Sequence, residues 1–321
     1  MTDDCTPVEW SVAFRAGEPD LRVLLEAQGE PASVRTYWDA SRRVTDLAVG
    51  LGADDALLGS MAPSFQPTSD DAYAAAYHGF EFQHDGAMRT KVYLNPATAG
   101  ERWTVAREAL QAVGLDGQAR ALLEVVGPLD LPLVAVDLEP VDRARVKLYL
   151  RSPSLATLEV IGSLCDPPCD ADYRPFVRGL YGVERLARPP FVALHLAASG
   201  DLPPARAVLS LPVFEMGDAA ASASDRIASL LSSHGLDDAA YRRCVDRLGD
   251  IRPADVPDVL GPYGLHSWVS FQREADGGPR ITVYFRLRAY AHRFGWLAAD
   301  PVRTWPSPVD GSGYLTRRSS P

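Results

Sequence analysis

Arg89-Thr90-Lys91-Val92-Tyr93 and Arg145-Val146-Lys147-Leu148-Tyr149 are the stretches that decide how this chain folds. Both read Arg-x-Lys-x-Tyr, and both lead through one apolar residue into a proline-bearing turn. A strand alternates its faces, so the first, third and fifth side chains project from one side, the outer two about 13 Å apart. Each stretch therefore lines up two cations and a phenol on one face, with Val or Leu on the other. Lys91 and Lys147 are the only lysines; every other basic residue is arginine. A solvated basic face on an amphipathic strand is the ordinary reading of either stretch alone. The repeat, and the confinement of lysine to one position of it, favour a functional reading.

Outward from these two strands, the chain repeats a larger unit. Val8–Arg15 and Leu21–Ala27 form a hairpin around Gly17-Glu18-Pro19-Asp20. Helical patterns follow at Val34–Val49, opened by Ser33 as N-cap, at Asp54–Leu58, and in the alanine-rich run Asp71–Tyr77. Gly79–Gln83 and Met88–Leu94 make the second hairpin. Thr98 to Glu101 reads as a capping box for a helix reaching Val113, followed by a helix near Gln118–Val125. Leu133–Asp137 with Ala144–Leu150, Phe191–Leu196 with Arg206–Leu211, and His266–Gln272 with Arg280–Leu287 complete five hairpins. Helices at Leu155–Leu164, Asp172–Leu186, Asp218–Ser233 and Asp238–Leu248 fill the intervals, and a short helix is expected at Ala289–Leu297. The second strand of each hairpin carries an arginine near its start, Arg22, Arg89, Arg145, Arg206 and Arg280, at spacings of 67, 56, 61 and 74 residues. That is a loose ββαα repeat.

Ten antiparallel strands in up-and-down order, with helix pairs between hairpins, predict an α+β fold: a ten-stranded antiparallel β-barrel wearing its helices outside. The outer face must then be apolar, as Val92, Leu94, Val146, Leu148, Leu150, Val283 and Phe285 are, and the Arg/Lys/Tyr face lines the lumen. One domain is expected over residues 1–300, with a loose polar tail over 301–321.

The net charge of −10 and pI near 5.1 argue against nucleic acid or an anionic membrane as partner. No secretory signal or membrane span is visible, which predicts a cytoplasmic protein, a monomer or weak homodimer. Cys165-Asp-Pro-Pro-Cys169 lacks a second pair to complete a metal site, so the cysteines read as ordinary thiols.

Lumenal cations in an acidic protein require an anion, because isolated buried charge is prohibitively costly. Arginine forks and lysine point charges together suit a diphosphate. Tyr93, Tyr149 and Tyr284 lie one strand step farther along, and a ring face stabilises positive charge by about 0.5–2 kcal/mol. A departing diphosphate beside a shielded cation is the chemistry of an allylic diphosphate. Asp54-Asp55, Asp70-Asp71 and Asp237-Asp238 read as helix starts, not as the paired aspartate motifs of magnesium-dependent prenyl synthases.

On these residues the chain resembles the dimethylallyltryptophan synthase-type aromatic prenyltransferases, which have the ABBA barrel fold. The resemblance spans nearly the whole chain. It implies transfer of a prenyl group from dimethylallyl diphosphate to an indole-type ring, such as a tryptophan derivative or carbazole, with no cofactor and no required Mg²⁺. It implies a diphosphate site of Arg22, Arg89, Lys91, Arg145, Lys147 and Arg280. Tyr93, Tyr149 and Tyr284 would shield the cation, and Glu9, on the first strand, would accept the indole N–H. Glu9, Lys91 and Lys147 are the expected catalytic residues, with Glu9, Ser210 and Trp268 in the acceptor pocket; Trp268 and His266 alternate and are expected on one face.

The fourth unit departs from the family pattern, with Val208 and Ser210 where a polar or basic residue and a tyrosine are usual. The lysine often proposed as proton acceptor falls near Gln83 or His84, and the helices that normally precede the first hairpin have no counterpart. The alternatives are a relative acting on a phenol, naphthalene or phenazine, one using geranyl diphosphate, and a non-catalytic barrel binding an anionic ligand.

Overall fold

The computed structural model describes residues 7–69, 74–127, 129–152, 154–186, 189–197, 206–213, 220–250 and 265–285. Ten strands close into one antiparallel barrel: β1 (Val8–Phe14), β2 (Asp20–Leu25), β3 (Ala76–Phe82), β4 (Met88–Leu94), β5 (Asp130–Asp137), β6 (Arg145–Arg151), β7 (Phe191–Ala197), β8 (Arg206–Pro212), β9 (His266–Arg273) and β10 (Pro279–Phe285). Each pairs with its neighbours in sequence, and β10 returns to β1 through Val12 opposite Val283. The helices come in pairs between hairpins: α1 (Val34–Gly50) and α2 (Ala56–Met61), α3 (Arg102–Ala112) and α4 (Asp116–Val126), α5 (Leu155–Ser163) and α6 (Asp170–Tyr181), α7 (Ala220–Ser233) and α8 (Asp238–Asp250).

The alternation expected of the strands sorts their side chains. Val92, Leu94, Val146, Leu148, Leu150, Val283 and Phe285 are all buried against the helical layer. The helices answer with one apolar face each, as in Tyr173, Phe176, Val177 and Leu180 of α6. Phe14 meets Tyr241 of α8 edge-on at 6.1 Å. The core is thus a shell between barrel and helices, which leaves the lumen to polar groups.

Three local expectations are corrected. The run Asp71–Tyr77 is not a helix where it is described: Ala76 and Tyr77 belong to β3, opposite Leu94 and Tyr93. Sheet pairing overrides the helical preference of alanine there. Glu101, not Thr98, caps α3, its carboxylate accepting the Trp103 and Thr104 N–H groups; Thr98 lies in a short 3₁₀ turn. In β9, Ser267 and Trp268 together oppose the single Tyr284 of β10, a β-bulge. His266 consequently faces outward, with Nε2 2.8 Å from the Tyr241 hydroxyl, and does not share a face with Trp268. Gln83 and His84 sit at the β3–β4 turn, where His84 is exposed. The segment Ala289–Leu297 and the tail 301–321 lie outside the described residues.

Candidate active site

The strand register places the Arg/Lys/Tyr faces inside the barrel. Lys91 lies opposite Gly79 on one side and Asp137 on the other, and Lys147 lies opposite Ala135 and His195. A Cβ on Gly79 would stand 3.1 Å from the side chains of both Lys91 and Tyr93, so the missing side chain makes room for them to lie across β3.

Two buried carboxylates organise the cations. Asp137 accepts from Lys147 Nζ at 2.9 Å and from Arg145 Nε at 2.7 Å. Burial opposes its ionisation, yet Lys147, Lys91 and Arg145 prevail and hold the carboxyl well below its usual range. On the other side of β4, Glu81 of β3 pairs with Arg22 Nε at 3.1 Å and with Arg280 Nη2 at 3.1 Å. Burial resists its ionisation too, and Arg22, Arg280 and Lys91 overcome it. Arg280 also reaches Asp20 at 3.7 Å and Glu274 at 3.5 Å.

Lys91 stands between the two clusters with no hydrogen bond or ion pair within 4 Å among the described residues. Burial, reinforced by Lys147 and Arg22, drives its pKa well below the ordinary lysine value. It is the lumenal cation best placed to gain from an arriving anion. Arg89 sits at the rim instead: its side chain is half exposed and lies 3.7 Å from Glu139. Arg206, also toward the rim, pairs with Glu274 at 3.7 Å.

The tyrosines gather as expected. The rings of Tyr93 and Tyr149 are 5.5 Å apart, tilted by 54°, with their hydroxyls hydrogen-bonded. Burial raises both phenols, so they stay neutral. Tyr284 joins them around the Arg22 guanidinium, within electrostatic reach of all three.

Glu9 is buried on the lumenal face of β1, one two-residue step beyond Ser11, which itself lies opposite Arg22 and Tyr284. Ser267 Oγ donates to Glu9 Oε2 at 3.1 Å, a contact made possible by the β9 bulge. Ser210 lies opposite Phe191 on β7 and Ser270 on β9. The Phe191 ring meets Trp268 at 5.1 Å, so two neighbouring aromatics stand where the fourth unit lacks its tyrosine. The Arg151 guanidinium lies over the Phe191 ring, 5.3 Å from its centroid.

Asp137, Glu81, Ser267, Phe191 and His195 were not singled out from the sequence. Each stands on a strand without the Arg-x-Lys-x-Tyr signature, and only the register shows what it faces.

A family model described as tryptophan dimethylallyltransferase matches residues 1–165, just over half of the chain. The chain belongs to the tryptophan dimethylallyltransferase family. Solved structures agree along most of its length. The 6-dimethylallyltryptophan synthase from Micromonospora olivasterospora, solved with DMASPP and Trp, is 29% identical with a TM-score of 0.78, over 90% of this chain and 84% of that one. Prenyltransferase PriB with product diphosphate is 28% identical with a TM-score of 0.77, over 90% and 82%. The 5-dimethylallyltryptophan synthase from Streptomyces coelicolor is 25% identical with a TM-score of 0.74, over 91% and 84%. No match is found among curated protein sequences. The protein is an aromatic prenyltransferase with the ABBA barrel. Among the described residues, no helix is long and apolar enough to cross a membrane.

Proposed function

We propose that this prenyltransferase moves a dimethylallyl group from dimethylallyl diphosphate to the ring of an indole, tryptophan or a close derivative, without a required metal. The observation that carries the reading is the order of groups along the lumen: cations, then three tyrosines, then a buried carboxylate. Arg22, Lys91, Arg145, Lys147 and Arg280 would bind the diphosphate and stabilise the charge that grows on it as the C–O bond breaks, its electron pair leaving with the phosphate oxygen. The allyl cation left behind would lie against Tyr93, Tyr149 and Tyr284. A ring carbon would then attack it, with the indole N–H donating to Glu9 as the ring gains positive charge, and loss of the ring proton to the departed diphosphate or to solvent would restore aromaticity. Ser267 Oγ donates to Glu9 Oε2, which helps to fix the carboxylate on the lumenal face.

Support for an indole over a phenol comes from Glu9, because a buried carboxylate suits a ring N–H, and from the DMASPP and Trp complexes of the 6- and 5-dimethylallyltryptophan synthases that this chain resembles. Five cationic side chains supply the countercharge that Mg²⁺ would otherwise provide. The test is mass spectrometry of products from dimethylallyl and geranyl diphosphates with tryptophan, simple indoles, carbazole and phenols, run with excess EDTA. Dimethylallyl addition to tryptophan or a simple indole is expected. Exclusive turnover of phenols would overturn the acceptor reading, exclusive use of geranyl diphosphate the donor, and loss restored only by Mg²⁺ the metal-free diphosphate site.

A further inference from the structure

His195 lies inside the cation cluster and takes no part in the contacts described so far. On β7 it faces Lys147 of β6 and Arg206 of β8 directly in register. It is 4% exposed, and its Nδ1 is buried with no hydrogen-bond partner among the described residues. The charged groups around it are Lys147 and Arg145 from β6, Asp137 from β5, Lys91 from β4, and Arg206, which is itself paired with Glu274 of β9.

An orphaned buried nitrogen costs about 1–3 kcal/mol. His195 faces the lumen beside Lys147, so its nitrogen is placed for a ligand in the lumen to complete it. The cations that surround the ring also specify the ligand's sign. Burial first, then Lys147 and Arg145, drive the imidazole pKa well below its ordinary value, so the ring is neutral when the lumen is empty. An arriving anion reverses the local potential.

We propose that His195 is a diphosphate-binding residue, which donates a hydrogen bond to a phosphate oxygen and takes up one proton from solvent as the diphosphate enters. The proposal deepens the diphosphate site proposed above and rests on it. The proton is gained on binding and returned to solvent when diphosphate leaves, so the reaction itself is unchanged in balance. The sign follows from linkage. The free-state pKa lies below that of the complex, so between the two values binding takes up a proton. In that window affinity rises as pH falls, by at most about tenfold per pH unit.

Calorimetry with inorganic pyrophosphate tests this on the wild-type enzyme, His195→Gln and His195→Asn. Each is titrated between about pH 6 and pH 8 in two buffers of different ionisation enthalpy, which yields the protons exchanged. Pyrophosphate's own protonation is common to all three proteins, and so is any proton taken up by Lys91, so the difference isolates His195. The wild type should take up more protons than either variant, by up to one, and the variants should lose more affinity at the acid end than at the alkaline end. In the ¹⁵N side-chain spectrum, the ring signal missing from the variants should change from neutral to imidazolium on adding pyrophosphate. Equal proton uptake with parallel pH profiles, or a ring that stays neutral in the complex, overturns the proposal. Should both variants fail to fold, the wild-type spectrum decides alone, since the chain has only six histidines to resolve. No binding of pyrophosphate by the folded wild type would instead fell the diphosphate site itself, and the His195 proposal with it.

Discussion

Asp137→Asn keeps the shape of the buried acid and removes its charge, which makes it the sharpest probe of how the empty lumen is held together. The carboxylate is 6% exposed and bonds Lys147 at 2.9 Å and Arg145 at 2.7 Å. Removing one partner of a buried ion pair typically costs about 3–5 kcal/mol. The lower end applies here, because the Arg145 side chain is 34% exposed and can turn to water, whereas Lys147 at 5% cannot. Loss of the Lys147 proton sets a ceiling, since neutralising an ordinary lysine at pH 7 costs about 5 kcal/mol. Urea unfolding followed by tryptophan fluorescence should therefore show a loss of about 3 kcal/mol, with m unchanged. Saturating pyrophosphate should close much of that gap. The wild type gains from the ligand too, so the gap closes only as far as the variant's freed cations bind pyrophosphate more tightly, by about 1.4 kcal/mol for each tenfold difference in Kd. A variant as stable as wild type would refute the burial of the pair. Equal stabilisation of both proteins by one pyrophosphate concentration would refute the claim that the anion takes over Asp137's partners.

Lys91→Ala should fold and lose on the order of 10²–10³ in turnover, because Lys91 is a preorganised cation without a competing partner among the described residues; near-normal steady-state rates would mean that its ammonium does not meet the diphosphate. His78, buried on the outer face of β3 with Nε2 3.0 Å from the Thr45 hydroxyl, has its pKa lowered by burial to about 4. Its unfolded state binds the extra proton, so stability is full above about pH 6.5 and falls by up to about 3 kcal/mol as pH drops toward 4; His78→Gln should flatten that part of the urea-unfolding pH profile, and an unchanged slope would refute it. Ser210→Tyr adds a ring beside the Phe191–Trp268 pair and should abolish turnover of tricyclic acceptors while simple indoles persist. A selective loss of geranyl transfer would assign the space to the donor, and no change in either preference would show that position 210 does not face the substrates.

Where side-chain alternation was strong, the sequence revealed both the strand and its inner face. Arg-x-Lys-x-Tyr with Val and Leu between shows which side of β4 and β6 meets helices, and the ββαα spacing implies closure. Glu81 and Asp137 escaped because a lone acid on a strand has no local signature. Glu81 acquires meaning only when register sets it opposite Arg22, far away in the chain. The β9 bulge was illegible for a related reason: one extra residue opposite Tyr284 reverses the faces of everything beyond it, and nothing in His266-Ser267-Trp268 marks it. The alanine run before β3 misled because helix propensity is worth only tenths of a kcal/mol per residue. A strand closing a barrel outweighs that easily.

Buried acids in a site read as binding an anion need a physical account, and the unliganded state supplies it. Five cations facing one lumen would repel each other and the desolvated interior alike. Asp137 and Glu81 each hold two of them in ion pairs, so the cations keep fixed positions before any substrate arrives. Complete neutralisation would defeat the purpose, since the diphosphate would then have to break every pair it displaced. The lumen stops short of that. Among the described residues, Lys91 is left with neighbours but no direct partner, and His195 with a nitrogen that bonds to nothing. A diphosphate can enter such a site by completing what is unsatisfied while the carboxylates keep the remaining cations in place. Affinity then comes from the surplus and geometry from the pairs. That division explains why the acids stand on β3 and β5, each beside the strand that carries Lys91, and why the cations themselves stand on β2, β4, β6 and β10.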